Sequence, residues 1–237
     1  MNNRKSGFQS AQENTEKKIY SVRVWDLPTR LFHWLLVALV VFSFFTGKIG
    51  GTAMQYHVWS GFTILVLVVF RLAWGFVGGR QSRFAAFVKG PATVIRYASS
   101  LLSRDSMRHI GHNPLGGWSI IAMLTSLLIQ AGTGLFANDD ILTEGPLYGL
   151  VSRKTSDWLT HIHHLNQKVL LVLVAIHICA VLFYLIAKRE NLITPMITGT
   201  KIWHQDQDSA WGNPVKALTI AAVAAVAAYV IIYRILG

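Results

Sequence analysis

The residues in this chain best suited to chemistry are histidines, nine in all. Two of them, His163 and His177, lie in one long apolar run that ends at Lys188-Arg189. At about 100° per residue, the fourteen positions between them come within about 40° of a whole number of turns. Both imidazoles therefore project from one side of one helix, roughly 21 Å apart at 1.5 Å rise per residue. His164 to His177 is about 140° out of phase, and His161 to His177 about 160° out. Two ligands on one face at that separation suit two cofactors stacked across a hydrocarbon core about 30 Å thick.

Composition says what kind of element carries them. Of 237 residues, 52% are hydrophobic and 14% charged, and the mean hydropathy is +0.41. That is an integral membrane composition rather than a soluble one. The formal net charge of +11 comes from basic residues lying between apolar runs, where they set topology rather than bind nucleic acid. The single cysteine, Cys179, sits inside an apolar run. One thiol makes neither an intrachain disulfide nor a Cys-x-x-Cys-His haem attachment, and it reads as a small packing residue. No cleavable signal peptide is read in the polar first 20 residues.

Five spans are expected, at about 29–46, 55–77, 115–136, 160–187 and 214–235. Pro28, Arg30 and Trp34 mark a membrane boundary at the start of the first. The Gly47–Met54 link is short enough to force an antiparallel neighbour. Asn113 as N-cap followed by Pro114 opens the third span. Between spans two and three, Pro91–Leu102 is amphipathic enough to lie on a membrane surface. The N-terminal arm and the 78–114 loop carry six Lys and Arg each, against one in 47–54 and two in 137–160. The positive-inside rule then places the N-terminus in the cytoplasm of a bacterial inner membrane and the C-terminus outside. The expected organisation is a disordered polar segment over 1–19, one membrane domain over 20–190, and a polar loop with an added helix over 191–237. The fold class is all-α, a four-helix core plus a fifth transmembrane helix. No internal sequence repeat is evident.

Depth now sorts the histidines. His33 begins span one at the cytoplasmic side, and His177 lies fourteen residues into a span entering from outside. His57 and His163 both begin their spans at the outer side. Two pairs follow, His33 with His177 and His57 with His163, each joining different helices at matching depth. That is what a haem iron needs for two axial ligands. An isolated His in an apolar helix is usually a hydrogen-bonded packing residue, but four at two matched depths are costly without a function. Zinc or copper would instead need ligands converging within a few ångströms.

Arg71 lies fourteen positions after His57, at the depth of the cytoplasmic pair, and Arg30 lies one turn before His33. Arginine suits anionic propionates through paired hydrogen bonds, although Arg30 also reads as a boundary anchor. His112 sits at the cytoplasmic mouth near the inner pair. Lys168 is placed to serve the outer site or to snorkel. His109, His161, His164 and His204 read as solvated or capping residues. Gly61 and the Gly132–Gly134 segment read as close-packing positions for helices or a porphyrin face. No catalytic residue is assigned.

At Arg30-Leu31-Phe32-His33-Trp34, His57-Val58-Trp59-Ser60-Gly61 with Arg71, Ile110-Gly111-His112-Asn113-Pro114, and His163 to His177, the sequence resembles the prokaryotic cytochrome b561 family. That family includes the cytochrome b subunits of nickel-iron hydrogenases. The resemblance covers about 20–190. It implies a four-helix core with two non-covalent b-type haems, each bis-His, passing electrons between membrane quinones and a redox partner outside. The first outer link is shorter here than in the hydrogenase branch, and the fifth span is added.

The expected function is a dihaem b-type cytochrome of the inner membrane, an electron-transfer subunit of the respiratory chain. It would join the quinone pool to a periplasmic redox partner, either a c-type cytochrome or a hydrogenase-like enzyme. Bis-His ligation leaves no open iron position, so such haems relay single electrons. A stand-alone superoxide- or quinol-linked oxidoreductase and a haem-free transporter with a histidine proton relay are the alternatives. Lipid and quinone are the expected partners, with no nucleic acid, and a homo-oligomer is left open.

Overall fold

The computed structural model describes residues 20–101, 109–141, 143–204 and 211–236. The elements are strand β1 (Tyr20–Arg23) and helices α1 (Leu27–Ile49), α2 (Met54–Val77), α3 (Phe84–Phe87), α4 (Pro91–Ser100), α5 (Pro114–Gly134), α6 (Arg153–Ile186) and α7 (Ile193–Thr198). Strand β2 (Thr200–Trp203) and helix α8 (Pro214–Leu236) complete the chain. The expected segment 1–19 and the loop residues Arg104, Asp105 and Arg108 lie outside the described residues. Helices α1, α2, α5 and α6 are each long and apolar enough to cross a membrane.

Local chemistry explains the helix ends. Asp26 caps α1, its carboxylate accepting from Thr29 N at 3.1 Å, with Pro28 in the first turn. Asn113 caps α5 by accepting from Gly116 N at 2.7 Å, and Pro114 takes the position where no amide donor is needed. Helix α6 starts at Arg153, seven residues ahead of its expected apolar boundary, because Ser152 caps it through Thr155 N. Hydropathy finds the part of a helix that suits lipid, whereas the cap decides where the helix begins. The 34 residues of α6 span about 51 Å, well beyond a hydrocarbon core of about 30 Å. Between α1 and α2 the chain reverses through Gly50 and Gly51, at φ +66° and +54°, a backbone that glycine adopts without steric cost.

α1 packs along α2, and α5 along α6, as two hairpins joined through α2 and α5. The core lies at mid-depth, where Ile64, Val68, Leu124, Leu127 and Leu170 are buried against one another. Ile64 and Leu170 each fall seven residues after a histidine, His57 and His163, so this apolar plug occupies the middle of the bundle. The outward faces carry Leu35, Phe42, Phe45, Trp59, Val172 and Ile176, all exposed. An exposed apolar belt of this kind belongs to a protein solvated by lipid tails.

The chain's N-terminal end of the bundle, rich in basic residues, is closed by contacts between distant segments. β1 pairs antiparallel with β2 in the register Tyr20↔Trp203 to Arg23↔Thr200. This small sheet was not expected from the sequence. Two four-residue strands with no hairpin between them leave no local signal. Asp26, buried, also accepts from Trp74 Nε1 at 3.2 Å, Gly79 N at 3.1 Å and Ser82 Oγ at 3.3 Å, tying the start of α1 to the end of α2. Tyr184 of α6 shares its hydroxyl with Tyr97 of α4 at 2.7 Å and accepts from Asn113 Nδ2 at 2.8 Å. Burial holds the Tyr97 phenol above its usual range. Lys201 on β2 donates to Glu190 Oε1 at 2.6 Å and to the His109 carbonyl at 2.8 Å. α8 is apolar from Pro214 to Val230 and packs mainly along α2, with Ala217 and Ala224 buried.

Candidate functional site

The structure brings His33 of α1 and His177 of α6 opposite each other, with ring centroids 6.4 Å apart and the planes tilted by 54°. His57 of α2 and His163 of α6 meet edge-on, with centroids 6.1 Å apart. Neither distance is van der Waals stacking. A metal–imidazole bond of about 2.0–2.1 Å, added to a ring radius of about 1.1 Å, puts two trans imidazole centroids about 6.3 Å apart. Both separations match that spacing. Among the described residues no three His, Cys, Asp or Glu side chains converge on a common point.

The His57/His163 pair is oriented through its other nitrogens. His57 Nδ1 donates to the Ser43 carbonyl at 2.8 Å, and His163 Nδ1 donates to the Gln130 carbonyl at 2.9 Å. A carbonyl can only accept, so Nδ1 carries the proton and Nε2 the lone pair in each ring; the His163 lone pair accepts from the Gln130 amide at 3.0 Å, a bond that a metal ligated there would replace. His163 Nε2 lies 3.0 Å from Gln130 Nε2, whose amide oxygen accepts from Asn166 Nδ2 at 2.7 Å. Asn166 also exchanges hydrogen bonds with Ser126. This ladder of buried Ser126 and Asn166 with half-buried Gln130 escaped sequence reasoning. The available signal was three amide and hydroxyl residues inside otherwise apolar runs, where unpaired polar groups are costly. A cavity of about 240 Å³, lined mostly by apolar side chains and by Gly61 and Gly134, adjoins the pair.

The His33/His177 pair has different surroundings. His33 Nδ1 is buried without a partner. Three more buried polar atoms are without partners, Arg30 Nε, Arg71 Nη1 and His112 Nδ1, and His112 is within electrostatic reach of Arg71, His33 and His177. Arg71, 3% exposed within α2, sets its guanidinium over the Phe84 ring. Arg30 sends Nη1 to the Ile197 carbonyl, and Trp34 Nε1 donates to the Met196 carbonyl at 3.1 Å, so α7 covers this mouth. His112 packs between Trp25 and Phe87. Burial, then the nearby Arg71 charge, pushes its imidazole down to about 3, which keeps the ring neutral.

Other sequence candidates fall elsewhere. His109 lies edge-on to Tyr97 and offers its carbonyl to Lys201, so it is structural rather than simply solvated. His164 is beside His163 on the same helix, 6.2 Å between centroids. Of the glycines, Gly134 lies beneath the His163 ring, while an added Cβ at Gly61 or Gly132 would meet nothing within 4 Å.

Four apolar helices of membrane length, with two imidazole pairs among them, define a multi-pass membrane protein. The chain belongs to the prokaryotic cytochrome b561 family, whose pattern matches residues 24–199. It is similar to a "Probable Ni/Fe-hydrogenase B-type cytochrome subunit" of Rhizobium leguminosarum bv. viciae, at 29% identity over 84% of this chain and 97% of the relative. The protein so described from Azotobacter vinelandii is 26% identical over 83% of this chain and 94% of its own length. A "Probable Ni/Fe-hydrogenase 1 B-type cytochrome subunit" of Escherichia coli (strain K12) is 30% identical over 50% and 62%. No solved structure matches the chain. The protein is a membrane b-type cytochrome, and its electron-carrying group is haem b.

The residues present fit that group. The paired rings would supply two nitrogen ligands, and a cavity lined by small and apolar residues adjoins one pair. Buried cationic and neutral donors without partners gather beside the other, suited to an anionic carboxylate.

Proposed function

We propose that the chain holds two b haems, one between His33 and His177 and one between His57 and His163, and relays electrons across the membrane as a subunit of a respiratory oxidoreductase. The observation that carries this reading is the pair of ring separations, 6.4 and 6.1 Å. A b haem with two imidazole ligands supplies a one-electron iron couple with no open position for substrate. The protein's own residues do the rest. Four imidazoles fix the two sites and the mid-depth apolar plug keeps water out between them. Arg71, with Arg30 and His112, presents donors to propionate groups at the His33/His177 site.

Orientation follows from the basic residues, which favour a cytoplasmic face for the N-terminal end, and α8 is read as a fifth crossing. The redox partner then docks at the opposite end, over the 137–160 loop. The relatives are described as hydrogenase subunits, and the first two compared align over nearly their whole length. A nickel–iron hydrogenase-like enzyme is therefore favoured as partner over a c-type cytochrome, and over a stand-alone superoxide- or quinol-linked role. Membrane quinone is the electron-exchange partner that the family resemblance implies, and we place its exchange near the His33/His177 site.

A reduced-minus-oxidised spectrum with a pyridine haemochrome count on the purified protein tests this. Two b haems per chain are expected, oxidised or reduced by a soluble quinone analogue. A haem-free protein would instead support the histidine-relay transporter.

A further inference from the structure

The His57/His163 site is built by one device used twice. In the α1–α2 hairpin, His57 donates to the Ser43 carbonyl at 2.8 Å. The Thr46 hydroxyl donates to the same carbonyl at 3.1 Å. Gly47 follows, and a Cβ there would stand 2.8 Å from His57 Nδ1. In the α5–α6 hairpin, His163 donates to the Gln130 carbonyl at 2.9 Å. The Thr133 hydroxyl donates to that carbonyl at 3.2 Å. Gly134 follows, and a Cβ there would stand 3.0 Å from His163 Cε1 and 3.3 Å from Nδ1.

The spacing is the same in both: a carbonyl, a threonine three residues on, a glycine four residues on, and an imidazole from the next helix. The rings approach the helix backbone closely only because the glycine has no side chain. The other pair lacks this device, since His33 Nδ1 is buried with no partner.

We propose that Gly47 and Gly134 are positioning residues that seat the His57 and His163 rings against helix carbonyls and thereby set the reduction potential of the metal those rings hold. The proposal rests on the dihaem reading above. A hydrogen bond from Nδ1–H to a carbonyl raises the basicity of the opposite nitrogen, which favours the oxidised iron and lowers the potential. An alanine methyl at either glycine pushes the ring away from its carbonyl, lengthens that bond and raises the potential. The electron gained or lost is iron's alone, and no bond is made or broken.

The test is a redox titration followed by visible absorbance, with low-temperature EPR of the oxidised haems, on wild type, Gly134→Ala, Gly47→Ala and Gly132→Ala. Gly132 is the matched control on the same helix, because an added Cβ there meets nothing within 4 Å. The expected result is a higher potential and altered EPR signature for one haem in Gly134→Ala and Gly47→Ala. The other haem keeps its potential, and Gly132→Ala titrates as wild type. Loss of that one haem alone is the same displacement carried further and also supports the seat. Potentials unchanged in both variants, or equal shifts or losses at both haems, overturn it. Failure of both variants to accumulate while Gly132→Ala does so, with both haems gone, counts as loss at both. A wild type without haem overturns the dihaem reading itself. A dihaem wild type with unaltered variants overturns only the seat.

Discussion

His33 and His177, near the two ends of the segment that defines the family, place their imidazole centroids 6.4 Å apart. They do so without any hydrogen bond between the rings and with His33 Nδ1 unpartnered. That separation is also the one two imidazoles bound to a single metal would take, at a metal–nitrogen bond of about 2.0–2.1 Å. The arrangement is intelligible when the gap is a coordination site.

The Arg71 guanidinium is the strongest candidate for holding charge at that site. It is buried, part of it has no partner, and it is within electrostatic reach of Asp26 and His112. Arg71→Gln removes a cation that favours the reduced, less positive iron. The haem at His33/His177 is expected to titrate at a lower potential in this variant and to be lost more readily on detergent washing. Arg30→Gln is expected to act less, because one arm of Arg30 is committed to the Ile197 carbonyl. Redox titration and haem-to-protein ratio measure both. A drop at the His57/His163 haem instead would contradict the placement.

Asp26 is the second pressure point. Its carboxylate serves the Thr29 and Gly79 amides, the Trp74 indole and the Ser82 hydroxyl. Loss of an N-cap alone costs about 0.5–2 kcal/mol, and each buried donor left unpaired adds about 1–3 kcal/mol. Asp26→Ala is therefore expected to lower stability by at least about 2 kcal/mol, read as a fall in Tm of the detergent-solubilised protein. Asp26→Asn, which keeps the cap, should fall between it and wild type.

Two ion pairs give a contrast. Glu190 and Lys201 are each 12% exposed at the side chain, whereas Arg153 and Asp140 are 73% and 68% exposed. An exposed pair contributes about 0–1 kcal/mol, while removing one partner of a largely buried pair costs more, about 3–5 kcal/mol when fully desolvated. Asp140→Asn is expected to leave Tm unchanged. Glu190→Gln is expected to lower it and to increase amide exchange in β2, whose Lys201 it anchors. Equal effects would remove the clasp from the account.

The sequence carried the helices and the depths of the histidines because both are periodic and local. Apolar runs of membrane length, Asn113-Pro114 as a start signal, and the fourteen-residue interval from His163 to His177 are each readable within one segment. The β1–β2 clasp, the burial of Asp26 and the carbonyl seats at Ser43 and Gln130 are not local. Each depends on which residue of a distant helix arrives opposite, and a four-residue strand or a single glycine looks the same wherever it occurs. The early start of α6 was written in Ser152, but the polar turns between Arg153 and Thr160 conceal it from a hydropathy reading. The doubled Thr-Gly device likewise leaves so little shared sequence that no repeat is seen until the two hairpins are compared in space.

Haem counting on single-histidine variants tests the central claim most directly. His177→Ala and His163→Ala should each retain one b haem per chain, differing in potential, and the double variant none. Retention of two haems in either single variant, or loss of both from one, would contradict the assignment of His33/His177 and His57/His163 as two separate coordination sites.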